Sequence, residues 1–254
     1  MQVLILGSGT SFGVPMIGCD CEVCRSDDPR DNRTRAAVLI RAAGRQILVD
    51  APPDLRQQML RHGVARLDAV LMTHAHADHI FGLDDLRAFS AHQQAALPVY
   101  GDAETLRVLR KDFDYAFADQ DFREGWIIPR LDLREWNGPA QIAGVPVAPV
   151  PILHGGDRIL GYRVGDFAYL TDCSGVPEES MPLLEGLDAL VVGAVKHDPP
   201  HPKHFSVRQA LELIELLRPR RAWLTHISHR LGHSVTEAQL PAHVRLAWDG
   251  LVID

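Results

Sequence analysis

The 254-residue chain has no apolar run near the roughly 18 residues that a membrane-spanning helix needs. It also lacks a basic leader. The opening "MQVLILGSGTSFG" holds only the short run "VLIL" before a glycine turn, which reads as a first strand rather than a secretion signal. There is no excess of positive charge, and a net charge of −7 weighs against nonspecific binding to nucleic acid or anionic membrane. We find no repeat, low-complexity tract or composition break that would mark a linker. Cysteine is scarce: of four in all, Cys19, Cys21 and Cys24 crowd into "GCDCEVC" and Cys173 stands alone. With no leader, the expected setting is the reducing cytoplasm, where such a cluster points to a metal site rather than to disulfides.

What is present is ordinary for a globular chain: 46% hydrophobic and 23% charged residues, enough for a sizeable core. Short apolar runs recur at 3–6, 36–40, 46–50, 68–73, 147–153, 167–172, 189–195, 222–226 and 250–254. Each has strand length, and most are too continuous for one-sided exposure, so the sheets should be covered on both faces. Helical patterns alternate with them. "SVRQALELIELLRP" is the clearest, with Ser206 as N-cap, an apolar face of Val207, Ala210, Leu211, Ile214 and Leu217, and Pro219 beyond its end. "PDLRQQMLRHG", "DAETLRVLRKD" and "IFGLDDLRAF" are further helix candidates. Segment 113–138 has no assignable pattern; an excursion over the site is one reading.

The thirteen histidines are clustered. "LMTHAHADHIFG" packs His74, His76, Asp78 and His79 behind an apolar strand, and three more strands end alike: "VAPVPIL" at His154, "FAYLT" at Asp172, "AWLT" at His226. Four strands that each deliver a His or Asp at their first polar step suggest loops gathered over one rigid base. His74 and His76, two apart, point the same way in an extended chain, while a turn lets Asp78 and His79 face a second point. Two metals about 3.5–4 Å apart would use these ligands. Imidazole and carboxylate suit zinc, manganese or iron without choosing among them.

"THAHADH" resembles the T-H-x-H-x-D-H signature of the metallo-β-lactamase fold superfamily, and the likeness extends over nearly the whole chain. The resemblance implies an αββα sandwich, two mixed β-sheets flanked by helices, in a single domain over 1–254. It implies one metal on His74, His76 and His154, a second on Asp78, His79 and His226, and Asp172 bridging them. Asp50, which ends "QILVD", would hydrogen-bond a ligand histidine. "GCDCEVC" and the glycine turns from Gly7 to Pro15 narrow the likeness to the branch containing the cyclic-phosphate phosphodiesterase of the carbon–phosphorus lyase pathway. That branch completes a structural zinc on Cys19, Cys21 and Cys24 with His229. It also places a histidine before the last long helix, here His204 in "HPKHFSV", with His197 and His201 as rivals. His204, as general acid or phosphate contact, and Asp78 are the candidate catalytic residues. His233 and Cys173 are read as structural.

The function expected is hydrolysis of a small cyclic, nucleotide or sugar phosphodiester by a metal-bridging hydroxide, with protonated His204 serving the leaving oxygen. Alternatives are a pyrroloquinoline quinone biosynthesis-like protein, a thioesterase or lactonase, a tRNA 3′-processing endonuclease and a non-catalytic metal-binding sensor. No Lys/Arg-rich insertion suggests the tRNA-gripping arm of the endonucleases. Beyond the small substrate, neither nucleic acid nor membrane is an expected partner; family analogy allows a homodimer.

Overall fold

The computed structural model describes residues 1–117, 128–136 and 138–254. Its first sheet contains β1 (Gln2–Gly7), β2 (Ala37–Ala42), β3 (Arg45–Val49), β4 (Ala69–Leu71), β5 (Leu97–Gly101) and β6 (Leu131–Glu135). The second contains β7 (Ala140–Ile142), β8 (Val145–His154), β9 (Asp157–Val164), β10 (Phe167–Leu170), β11 (Ala189–Gly193), β12 (Arg221–Thr225) and β13 (Val244–Leu246). The last strand, β14 (Val252–Ile253), returns to the first sheet, giving the orders β14-β1-β2-β3-β4-β5-β6 and β13-β12-β11-β10-β9-β8-β7. Both sheets mix parallel and antiparallel pairs.

Side chains alternate across each strand, and both faces are apolar. Val3 and Ile5, Val38 and Ile40, and Ile47 and Val49 meet Tyr169, Val191 and Trp223 in the core between the sheets. Their neighbours Leu4, Leu6, Leu39 and Leu48 face outward to a second core with Leu55, Met59, Phe89, Leu106 and Leu109. These last come from α1 (Leu55–Arg61), α3 (Arg87–Gln93) and α4 (Ala103–Asp112), which follow α2 (Ala77–Ile80) in part. On the far side, Leu190, Val192, Ala222 and Leu224 pack on Ala210, Leu213 and Ile214 of α5 (Val207–Leu217). The expected sandwich, two mixed sheets flanked by helices, is thus realised.

Two local expectations need correction. "IFGLDDLRAF" is not one helix: α2 stops at Ile80 and α3 begins at Arg87, with a tight turn over Leu83–Leu86 between them. At Gly82 the amide donates to the Ala51 carbonyl, and an added Cβ would sit 2.0 Å from the Pro52 carbonyl oxygen, so only glycine fits where the chain crosses this close to residues 51 and 52. Segment 113–138, left unassigned from sequence, contains β6; residues 118–127 and 137 of it lie outside the described residues. The helix from Ser206 forms as read, capped by the Ser206 hydroxyl, and Gln209 reciprocates on the Ser206 backbone.

Strand direction positions the site. β10, β11 and β12 run parallel, and β8 shares their direction through the antiparallel β9. In the other sheet β3 and β4 are parallel. The chain therefore leaves several strands at one rim, and the backbone amide of Leu160 bridges the sheets there by donating to the Thr73 carbonyl at 3.0 Å.

Candidate metal centre

Every strand-end ligand read from the sequence arrives at this rim. His74, His76 and His154 bring one ligand atom each within 4.8 Å of one another, and Asp78, His79, Asp172 and His226 do the same. A third overlapping group joins His154 and Asp172 to His204, so Asp172 stands between the two sets. Its Oδ2 lies 3.1 Å from His79 Nε2 and 3.2 Å from His226 Nδ1, and its Oδ1 lies 3.6 Å from His204 Nδ1. All but His76 and Asp78 of these first seven residues are buried.

Which nitrogen faces the centre is decided by what holds the other. Asp50, wholly buried, approaches His79 Nδ1 at 2.7 Å, and its carboxylate also accepts from the Thr73 amide and hydroxyl. With its proton given to Asp50, the Thr73 hydroxyl can accept from His74 Nδ1, 3.0 Å away. His154 Nδ1 donates to the Asp172 carbonyl at 2.8 Å. The outer nitrogens are thus occupied, and His74 Nε2, His79 Nε2 and His226 Nδ1 are buried without a well-formed hydrogen bond. Buried polar atoms are rarely left so.

The charge pattern fits a cation. Burial opposes ionisation of Asp172, but His226 and His79 hold it well below the usual carboxylate range, and Asp78 is likewise lowered, chiefly by His79. Burial, with His79 beside it, keeps His74 well below the ordinary imidazole range; burial also lowers His76 and His226. His79 alone goes up: burial resists, yet Asp172 and Asp50 outweigh it. Ionised carboxylates, neutral imidazoles and one trapped proton are what a metal site presents before it is filled. The donor set fits divalent ions.

The backbone is bent to this purpose. Asp50, Asp172 and His226 all have left-handed φ, +64°, +54° and +56°, a conformation that costs non-glycine residues about 1 kcal/mol or more each. Beneath them Gly193 leaves room, since a Cβ there would come 3.1 Å from the Asp172 amide nitrogen.

The cysteine loop forms a second centre. Cys19, Cys21, Cys24 and His229 bring three sulfurs and one nitrogen within 4.8 Å, with His229 Nδ1 at 3.1 Å from Cys19 and 3.5 Å from Cys21. A hydrogen bond from the backbone within the loop lowers the Cys21 thiol to about 6, while burial pushes Cys24 up to about 11. Three thiols and an imidazole suit a closed tetrahedral zinc site. The segment that leads into the loop is tied to the ligand-bearing segment by backbone hydrogen bonds between Thr10 and Ile227 and between Ile227 and Ser8.

His204 sits over the main centre, its ring 4.8 Å from that of His154 and 4.9 Å from that of His226. Burial, then the proximity of His226, lowers it to about 3, so the free site holds it neutral rather than in the protonated state expected for a general acid. His201 lies 4.9 Å beyond it, and His197 is exposed and outside every ligand group. His233, fully buried, bonds Arg33 and approaches Glu237, and Cys173 is a buried neighbour of Gly175; both are structural, as read. Thr73, which links Asp50 to His74, had no role in the sequence reading. The signal was the threonine that opens "THAHADH".

A seven-strand sheet on each side, buried imidazoles and carboxylates at the rim and a histidine-rich loop after β4 define a metallo-β-lactamase fold. The Beta-lactamase superfamily domain profile matches residues 45–227, and the chain belongs to that family. Among solved structures, a diphosphatase from the PhnP family superimposes with a TM-score of 0.92 at 42% identity, over 100% of this chain and 97% of that one. This agrees with the branch to which the cysteine loop pointed. A protein of Porphyromonas gingivalis named octanoyltransferase is 38% identical over 253 residues, 99% of this chain but 51% of its own length, so this chain spans about half of it. Coenzyme PQQ synthesis protein B of Methylobacterium nodulans is 32% identical over 225 residues, 75% of this chain and 72% of that protein. Human tRNase Z, short form, shares the fold at a TM-score of 0.73 and 21% identity. Among the described residues no helix is long and apolar enough to cross a membrane.

Proposed function

We propose that this chain is a binuclear metal-dependent hydrolase of small phosphodiesters, with a third, structural zinc. The observation that carries the reading is two adjacent ligand sets joined through Asp172, which groups with His79 and His226 on one side and with His154 on the other, with His74 Nε2 and His79 Nε2 buried and unsatisfied while their other ring nitrogens are pinned from outside. His74, His76 and His154 would hold one ion, Asp78, His79 and His226 the other, and Cys19, Cys21, Cys24 and His229 the zinc. Zinc or manganese suits the catalytic pair, and iron is compatible. Two divalent ions at such a site supply a water that is nucleophilic at neutral pH and neutralise charge on a phosphoryl group.

The chain's own groups do the rest. Asp50 and Thr73 fix the rings of His79 and His74, so that the carboxylates and imidazoles need not reorganise when substrate enters. His204 lies over the centre, beside His154 and His226, within reach of a group bound there. Neutral in the free site, it can donate one N–H to a non-bridging or leaving oxygen, and the negative charge of a bound phosphodiester beside it favours its protonation.

The test is metal analysis of the purified protein followed by assay on bis(p-nitrophenyl) phosphate and on a p-nitrophenyl carboxylate ester. About three ions per chain, with diesterase activity lost to chelation, supports the reading. Preference for the carboxylate ester would move it to the thioesterase–lactonase group, and one tightly held zinc without hydrolysis would leave only a zinc-stabilised binding protein.

A further inference from the structure

Arginine is seldom buried without a carboxylate against it, and Arg33 is such a case. It is 2% exposed, and burial lowers its pKa to about 10, so the guanidinium stays charged at neutral pH. Its chain neighbours Arg30 and Arg35 pair directly with Asp28 and Asp54, but Arg33 forms no ion pair among the described residues. An exposed arginine can go unpaired at little cost; a buried one must be compensated. Here the compensation comes at one remove. Nη1 donates to the Ser8 hydroxyl at 2.9 Å and to the Ala247 carbonyl, and Ser8 in turn donates to Asp249 at 2.8 Å. Nη2 lies 3.1 Å from His233 Nδ1. A guanidinium has no acceptor, so His233 Nδ1 must accept, and the ring proton sits on Nε2, 3.0 Å from Glu237.

These partners bracket His226. Just before it, the Ala247 amide donates to the Leu224 carbonyl. Just after it, the Ile227 amide donates to the Ser8 carbonyl, and the Ile227 carbonyl accepts from the Thr10 amide. His233 follows His229 on the same segment, and its own amide donates to buried Asp31 at 2.8 Å. The backbone of Arg33 exchanges two hydrogen bonds with Val14, on the approach to Cys19. One side chain thus touches every segment around a ligand held at a left-handed φ of +56°. Such strain persists only where the surroundings over-determine it.

We propose that Arg33 is a positioning residue for both metal centres, holding segment 226–233 so that His226 faces the main centre and His229 the cysteine loop. The inference rests on the metal-centre reading above and makes no use of the substrate. Ser8, Ala247 and His233 are three acceptors on three segments, and the planar fork of a guanidinium serves all of them from two nitrogens. A lysine would bring them a single nitrogen. Without the hub, His226 is free to leave its left-handed conformation and turn its ring away, and His229 loses its anchor four residues downstream. The ion of Asp78, His79 and His226 then weakens together with the zinc of the cysteine loop. The ion of His74, His76 and His154 does not, because none of its ligands lies on the segment.

The cobalt-loaded protein is equilibrated in chelator-buffered cobalt as wild type, Arg33→Met, His233→Leu, His233→Gln and Leu109→Ala. Elemental analysis counts the ions retained, and the thiolate-to-cobalt charge-transfer absorption identifies the one on the cysteines. Gln at position 233 keeps an acceptor for Arg33 and a donor for Glu237, whereas Leu keeps neither. Leu109, buried in α4 against the first sheet, controls for lost stability alone. In Arg33→Met and His233→Leu the free-cobalt midpoints of two ions should rise about 10-fold, with the third unmoved and His233→Gln near the wild type. If Arg33→Met does not fold, the two His233 variants decide between the outcomes. Midpoints unchanged in His233→Leu, all three moved together, or an equal shift in Leu109→Ala at matched stability loss in urea would overturn the proposal. A wild type that takes up cobalt at neither centre would instead defeat the metal reading, and this inference with it.

Discussion

Replacing Asp50 by Asn changes one atom's chemistry at the centre of the outer hydrogen-bond network. The left-handed φ of +64° suits Asn, so the backbone has no reason to move. The carboxylate now serves donors with both oxygens: Oδ1 takes the Thr73 amide at 2.8 Å, and Oδ2 faces His79 Nδ1 at 2.7 Å. An amide has one oxygen. If it stays with Thr73, the NH2 group faces His79 Nδ1, and His79 must shift its proton to Nε2, the atom that should face a metal. Loss of such an orienting partner weakens metal binding about 10- to 100-fold, which is about 1.4–2.7 kcal/mol. The effect should fall on the ion of Asp78, His79 and His226 before that of His74, His76 and His154. Elemental analysis after equilibration in chelator-buffered zinc would read it as one ion lost at a free-metal level where the wild type keeps all three. If Asp50→Asn retains every ion at wild-type affinity, the orientation argument is wrong.

Other outcomes follow from the same structure. Cys21→Ser should remove one ion and lower the thermal midpoint while the purified protein still carries its other two; loss of all three would mean that the sites are not separable. His204→Ala should lower diesterase turnover with metal content intact, and unchanged turnover on the preferred substrate would remove it from the chemistry. Gly82→Ala should destabilise by about 2 kcal/mol or more in urea unfolding, because a Cβ 2.0 Å from the Pro52 carbonyl cannot be accommodated by a side-chain rotation. Asp249→Ala strips acceptors from the amides and hydroxyls of Ser8 and Thr34, and should cost about 3 kcal/mol. A loss under about 1 kcal/mol would show that water replaces the carboxylate.

The metal-competent residues were legible because strand ends in both sheets point to one rim, and each apolar run stops at its ligand. The continuous character of those runs also disclosed the layers, since both faces of β2, β3, β11 and β12 are buried. Strand β9 was not legible. "DRILGYRV" begins with two charges and contains a glycine, and it is a strand because β8 and β10 flank it; at Gly161 a Cβ would meet the Leu170 side chain at 2.5 Å. The role of Thr73 depends on Asp50, 23 residues away, and spacing alone carries no sign of that pairing. His229 was assigned through family likeness, and the geometry now supplies the reason: the segment that presents His226 turns back onto the cysteine loop.

The left-handed residues at the rim carry an evolutionary consequence. At Asp172 and His226, Gly would relax the backbone and remove a ligand in the same step, so selection for stability and selection for activity pull those codons in opposite directions. A lineage that abandoned the chemistry would be free to release this tension. Glycine or asparagine at positions matching Asp172 and His226 would therefore mark a retired descendant, and its metal-free form should melt above that of an active cousin.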